Sequence, residues 1–87
     1  VSSAGALPLT THASIITNAS DGTYTLADGV VAGQQKIVIN TGNANATVTP
    51  SNFAAGTSVV LQHNETVSLV FDGTEWQVLA TYGGAVS

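Results

Sequence analysis

Apolar and polar positions alternate with a period of two along most of this chain, and no stretch sustains a helical period. Residues 66–80, TVSLVFDGTEWQVLA, show it most clearly. Val67, Leu69 and Phe71 fall on one face of an extended run and Thr66, Ser68 and Val70 on the other. Beyond Asp72-Gly73, Trp76, Val78 and Ala80 share a face, with Glu75, Gln77 and Leu79 opposite. Asp-Gly between two such runs predicts a tight β-hairpin, because Asp tolerates and Gly favours the positive φ of the turn.

The same grammar runs upstream. ASIITN (13–18) is β-branched, Tyr24 and Leu26 alternate with threonines between Asp21-Gly22 and Asp28-Gly29, and Gln34–Asn40 alternates with its isoleucine side expected to face the core. Short strands follow at 46–49, stopped by Pro50, and at 57–62, with Phe53 between them expected to plug one end of the core. Six or seven short strands with turn signals at about 8–12-residue spacing predict an all-β fold, a compact antiparallel β-sandwich or barrel-like domain. Residues 13–81 form this domain, residues 1–12 an extended N-terminal arm and residues 82–87 a flexible tail. Thr47–Leu61 resembles the blocks before it, without a fixed period that would define a solenoid.

Composition changes the picture in one respect. In 87 residues there is one lysine, Lys36, no arginine and no cysteine, with a net charge of −4 and only 7% charged residues. Ordinary soluble proteins carry roughly a quarter. A single cation cannot displace counterions from a phosphate backbone, which argues against nucleic-acid binding, and it excludes a basic membrane-surface patch. No apolar run approaches the roughly 18 residues of a membrane span. Disulfides cannot supplement so small a core, so association with further copies is the expected supplement.

The order YTLADG (24–29), AGQQKIVIN (32–40), NATVTPSNFAAGTSVVL (45–61) and ETVSLVFDGTEWQVL (65–79) resembles a small β-rich module of tailed-bacteriophage structural proteins. The resemblance implies a virion role without catalysis, commonly as a homotrimer, either in free-standing head proteins or at the ends of fibres. A chain of this length fits the free-standing case better. The function expected from it is a capsid decoration (cement) protein on the capsid surface, with the major capsid protein as partner. The alternative is a receptor- or glycan-binding domain of a tail fibre or spike. Leu7 and Leu9 are expected to anchor the arm on neighbouring subunits, Val70 and Leu79 to mark the subunit contact, and Tyr82 to meet a partner.

Candidate chemistry is sparse. His12 and His63 could serve as bases, but no Gly-x-Ser-x-Gly elbow surrounds a serine, so no enzyme and no catalytic residue is expected. His63 and Glu65 could share a strand face as two metal ligands, and Asp21, Asp28 and Asp72 each precede glycine, yet calcium-loop spacing is missing and turn chemistry accounts for all three. No metal and no cofactor are therefore expected. Sequons at Asn18, Asn45 and Asn64 are expected to stay bare in a phage protein. Trp76, in phase with Val78, is expected in the core.

Overall fold

A computed structural model of the chain describes residues 5–86. Among them the strands are β1 (Gly5–Ala6), β2 (Ala13–Ile16), β3 (Gly22–Leu26), β4 (Gln35–Asn40), β5 (Ala46–Pro50), β6 (Val59–Leu61), β7 (Glu65–Phe71), β8 (Trp76–Tyr82) and β9 (Ala85–Val86). They build a five-stranded sheet ordered β1-β3-β5-β6-β9 and a four-stranded sheet ordered β2-β4-β7-β8. One apolar core, from Leu7 and Ile16 to Phe71 and Trp76, lies between them. This is the expected all-β sandwich, and the strands beyond the expected six or seven are the two-residue edges β1 and β9.

The first five strands alternate between the sheets. Sheet neighbours among them are therefore one coil of chain apart and run parallel: Ala13 stands beside Ile37 and Gly22 beside Ala46, in both cases 24 positions on. Antiparallel pairing, expected throughout, holds for β4–β7, β5–β6, β6–β9 and β7–β8, whereas β1–β3, β2–β4 and β3–β5 are parallel. The step is 24 residues for β2–β4 and β3–β5 but shorter for β1–β3, where Gly5 stands beside Tyr24, so the three parallel pairs share a winding without a fixed period, in line with the expectation. Two carboxylates tie successive coils: Asp21 Oδ1 accepts the Asn45 N–H at 2.9 Å, and Asn52 Nδ2 donates to both Asp28 oxygens at 2.9 Å.

β4 corrects the sequence-based expectation. Its buried residues are Lys36, Val38 and Asn40, while Ile37 and Ile39 face outward, half-buried. Polarity misleads here because both polar ends of the buried row find partners inside. Lys36, 1% exposed, donates from Nζ to Pro8 O at 2.7 Å, Thr11 O at 2.9 Å and Thr11 Oγ1 at 3.0 Å. Asn40, wholly buried, donates from Nδ2 to Ala44 O at 2.8 Å and Leu61 O at 2.9 Å and accepts the Gly42 N–H at 3.0 Å. Buried polar groups are tolerated where hydrogen bonds replace water, and these two meet that condition.

The same bonds fold the expected arm back onto its own domain. Leu7 is buried in this chain's core, Leu9 packs against that core, and the Leu7 N–H donates to Thr25 O at 2.8 Å. Residues 1–4 of that arm, and residue 87 of the tail, lie outside the described residues. Within the tail, Ala85 and Val86 pair with β6 as β9.

The hairpin forms where expected, with Phe71 beside Trp76 and four residues between. Asp72 closes it, accepting the Thr74 and Glu75 N–H groups on Oδ1 and the Gln77 amide on Oδ2, each at 2.8 Å. Its face assignment holds only to Val78. Leu69 stands opposite Val78 but Ser68 opposite Ala80, so Leu79 is an extra, bulged residue and Ala80 moves to the outer face.

Candidate binding surfaces

Both sheets turn a charge-free outer face outward, and the two differ in chemistry. On the five-stranded sheet, Thr23 and Thr25 of β3 lie in register with Thr47 and Thr49 of β5. The β3 pair is exposed and the β5 pair half-buried. Strand geometry sets these four hydroxyls on a grid of about 4.8 Å across by about 6.6 Å along. At one end the grid meets an open cleft of about 390 Å³, whose lining includes Thr25, Thr49, Ser51, Leu26 and Pro50. Each hydroxyl can donate one hydrogen bond and accept others, and each threonine methyl offers an apolar contact beside it.

The outer face of the four-stranded sheet is apolar. Ile15 beside Ile39, Ile37 beside Ser68, and Val70 between Gln35 and Gln77 form successive rows across it. Ile15 is 52% exposed and Leu79, lifted by the bulge, 53%. Val70 and Leu79, expected at the subunit contact, are thus brought onto or beside one face. Tyr82 ends β8 and is 74% exposed. Leu7 and Leu9, expected to grip another subunit, serve their own core instead, because the strap through Pro8 and Thr11 closes onto Lys36.

All five carboxylates stand on turns or strand ends. Burial without a counter-charge pushes the Lys36 ammonium below its ordinary 10.5. The Gln77 side-chain amide, followed by the Glu75 and Thr74 N–H groups, holds the Asp72 carboxyl below its usual value. His63 Nδ1 lies 2.9 Å from Gly42 O, and Glu65 Oε1 accepts the Gln62 N–H at 2.7 Å. That pair is spent on the turn rather than held as ligands. Among the described residues no cluster of three metal-ligating side chains occurs, and no carboxylate orients a histidine toward a hydroxyl. Trp76 is wholly buried as expected, with its Nε1–H donated to Ala27 O at 2.9 Å and its ring 5.3 Å from that of Phe71. Phe53 bridges to Trp76 and closes that end of the core.

Residues 2–77 match the family model of the phage depolymerase C-terminal beta sandwich domain. The chain belongs to this family. Membership agrees with the two-sheet architecture and makes the chain a virion-associated phage structural module. It lends no support to capsid decoration, and the word depolymerase in the family's name fits the tail fibre or spike alternative better. A comparison with individually curated proteins finds no match.

The signal for the threonine grid was present in the sequence as Thr-Tyr-Thr (23–25) and Thr-Val-Thr (47–49), 24 positions apart. Only parallel pairing brings the two segments side by side, and local alternation does not report that register.

Proposed function

We propose that this chain is a non-catalytic module of a phage tail fibre or spike, assembled as a homotrimer, that contacts glycans of the host surface through the threonine face of its five-stranded sheet. The observation that carries the reading is family membership over residues 2–77. The threonine grid and its cleft supply the matching chemistry. A polysaccharide presents hydroxyls at repeated spacing with apolar C–H faces between them, and rows of Thr23, Thr25, Thr47 and Thr49 offer the complementary alternation of hydroxyl and methyl. Among the described residues His63 Nδ1 is engaged with Gly42 O, and the Asp72 and Glu65 carboxylates accept hydrogen bonds within their own turns, which favours a binding role over cleavage.

The test is calorimetric titration with surface polysaccharide purified from the phage's host, beside a reducing-end assay on the same mixtures. Binding without release of reducing ends is expected. Thr25→Val with Thr49→Val keeps shape and β-propensity but removes two hydroxyls, and should weaken binding at least tenfold. Unchanged binding by this variant, or new reducing ends in the wild-type mixture, overturns the proposal.

A further inference from the structure

We infer that the outer face of the four-stranded sheet, formed by Ile37, Ile39 and Val70 with Ile15 and Leu79, is where copies of this chain meet. The inference rests on reading the chain as an assembling spike or fibre module, and supplies the surface that such assembly would use.

The pattern of β4 is inverted. A strand facing solvent on one side places its isoleucines inward and its lysine outward; β4 does the reverse, with Lys36 buried and Ile37 and Ile39 outside. Strands covered on both faces carry apolar residues on both, and β4 and β7 follow that rule: Val38 with Ile37 and Ile39, Leu69 and Phe71 with Val70.

Charge points to the occupant. With Lys36 turned inward, every other formal side-chain charge among the described residues is a carboxylate at neutral pH, apart from the histidines. An identical copy brings carboxylates and no exposed lysine or arginine to pair them, so a chain of net charge −4 meets itself most favourably where it carries no charge. Asp21, Asp28, Asp72 and Glu75 lie on turns at the ends of the sandwich, and Glu65, at the start of β7, has the inward parity of Val67. The opposite sheet face is also uncharged, but its threonines suit water or sugars better than protein. An acidic or basic partner would find nothing to pair with on the isoleucine face.

Area sets the strength. Four strands about 4.8 Å apart and about six residues long at about 3.3 Å rise give a footprint of about 400 Å². Two copies would remove about 800 Å², below the roughly 1,200–2,000 Å² of stable pairwise interfaces, and a ring of three sharing the same footprint would bury about 400 Å² at each of its contacts. Association of the isolated 87-residue chain is therefore weak and concentration-dependent.

Sedimentation equilibrium of the chain from about 10 μM to about 1 mM, spanning the affinity range of such interfaces, reads this directly. The wild type should rise above its monomer mass of 8.7 kDa across that range. Val70→Lys and Leu79→Asp, of opposite sign, should each weaken association at least tenfold, since both desolvate a charge at the contact. Thr25→Asp on the other sheet should leave it unchanged. Circular dichroism and the protection of buried amides identify any variant that unfolds; for such a variant Ile15→Thr, which keeps β-branching, takes its place. A wild type that stays monomeric to 1 mM overturns the inference, as does unchanged association of both face variants or equal loss in Thr25→Asp. A monomer that still binds polysaccharide refutes this surface while leaving the spike or fibre reading in place.

Discussion

Lys36→Met isolates what the buried ammonium does. The lysine gives three hydrogen bonds to Pro8 and Thr11, which flank the strap running to β2. Ordering residues 8–11 costs about 1–2 kcal/mol per residue in backbone entropy, or about 4–8 kcal/mol in all. Three bonds from a charged donor, at about 1.5–3 kcal/mol each, return about 4.5–9 kcal/mol. The two sums nearly cancel, so removing the donor tips the strap toward disorder, opposed by the partial burial of Leu9 and the long Gln34 Nε2–Leu9 O bond of 3.5 Å. Global stability changes far less. Methionine fills the space of the lysine stem, and the ammonium's desolvation cost, several kcal/mol for a buried ion, disappears with it. The freed acceptors belong to Pro8 and Thr11, which are exposed and regain water.

Backbone relaxation and amide exchange by NMR read both effects. In Lys36→Met, residues 9–12 should move from rigid to mobile, and the Ile37 amide, donated to His12 O at 2.9 Å, should exchange faster. Amides of β5 to β8 should stay protected, and the urea midpoint should correspond to within about 2 kcal/mol of wild type. pH gives a second reading. Because the folded-state pKa of Lys36 is lowered, the unfolded chain binds its proton more tightly, so this group's contribution to stability rises with pH from the lowered value up to the ordinary 10.5 and is flat above it. The wild type should therefore gain on Lys36→Met as pH climbs toward 10.5. A strap that stays rigid in the methionine variant would refute the reasoning.

Asn40→Ala leaves the carbonyls of Ala44 and Leu61 without their donor inside the fold, and should cost about 2–4 kcal/mol by urea titration. Gly29→Ala would set a Cβ within 2.6–2.8 Å of Phe71 side-chain atoms close to its backbone; overpacking of about 1–3 kcal/mol should follow, with a shift in Trp76 emission because Phe71 contacts that ring. Asp72→Asn keeps an acceptor for the turn but loses the carboxylate. The wild-type carboxyl contributes stability above its ordinary 3.8 that is lost as pH falls through its lowered value, so thermal melts at acid pH should show a slope in the wild type that Asp72→Asn lacks.

Much of the fold was legible, and what was hidden has physical causes. The Asp72-Gly73 hairpin, the burial of Trp76 and the all-β class follow from local alternation and turn chemistry, and local signals report local structure. The 24-residue step of β2–β4 and β3–β5 was masked because only the positions that stack need to resemble one another, as Thr23 and Thr47 or Ile15 and Ile39 do, while the turns between them diverge. The orientation of β4 could not be read from polarity, since the partners of Lys36 and Asn40 are backbone atoms far along the chain. The Leu79 bulge leaves no composition signal at all. Of the candidate surfaces, Val70 and Leu79 were visible as apolar residues on the polar side of an alternation, whereas the threonine face required the parallel register.

The winding of the first five strands also dictates an order of folding. No two neighbours among β1 to β5 can pair until a coil of about 19–24 residues has closed, at an entropic cost of about 2.6–2.8 kcal/mol for each closure beyond a constant. The β7–β8 hairpin closes over four residues and gives the chain its nearest local start. Refolding should therefore begin at the C-terminal half and finish with the coils nearest the N-terminus, each new strand using the last as its template. Mutations in the hairpin should slow folding, while those in β2 and β3 should mainly hasten unfolding.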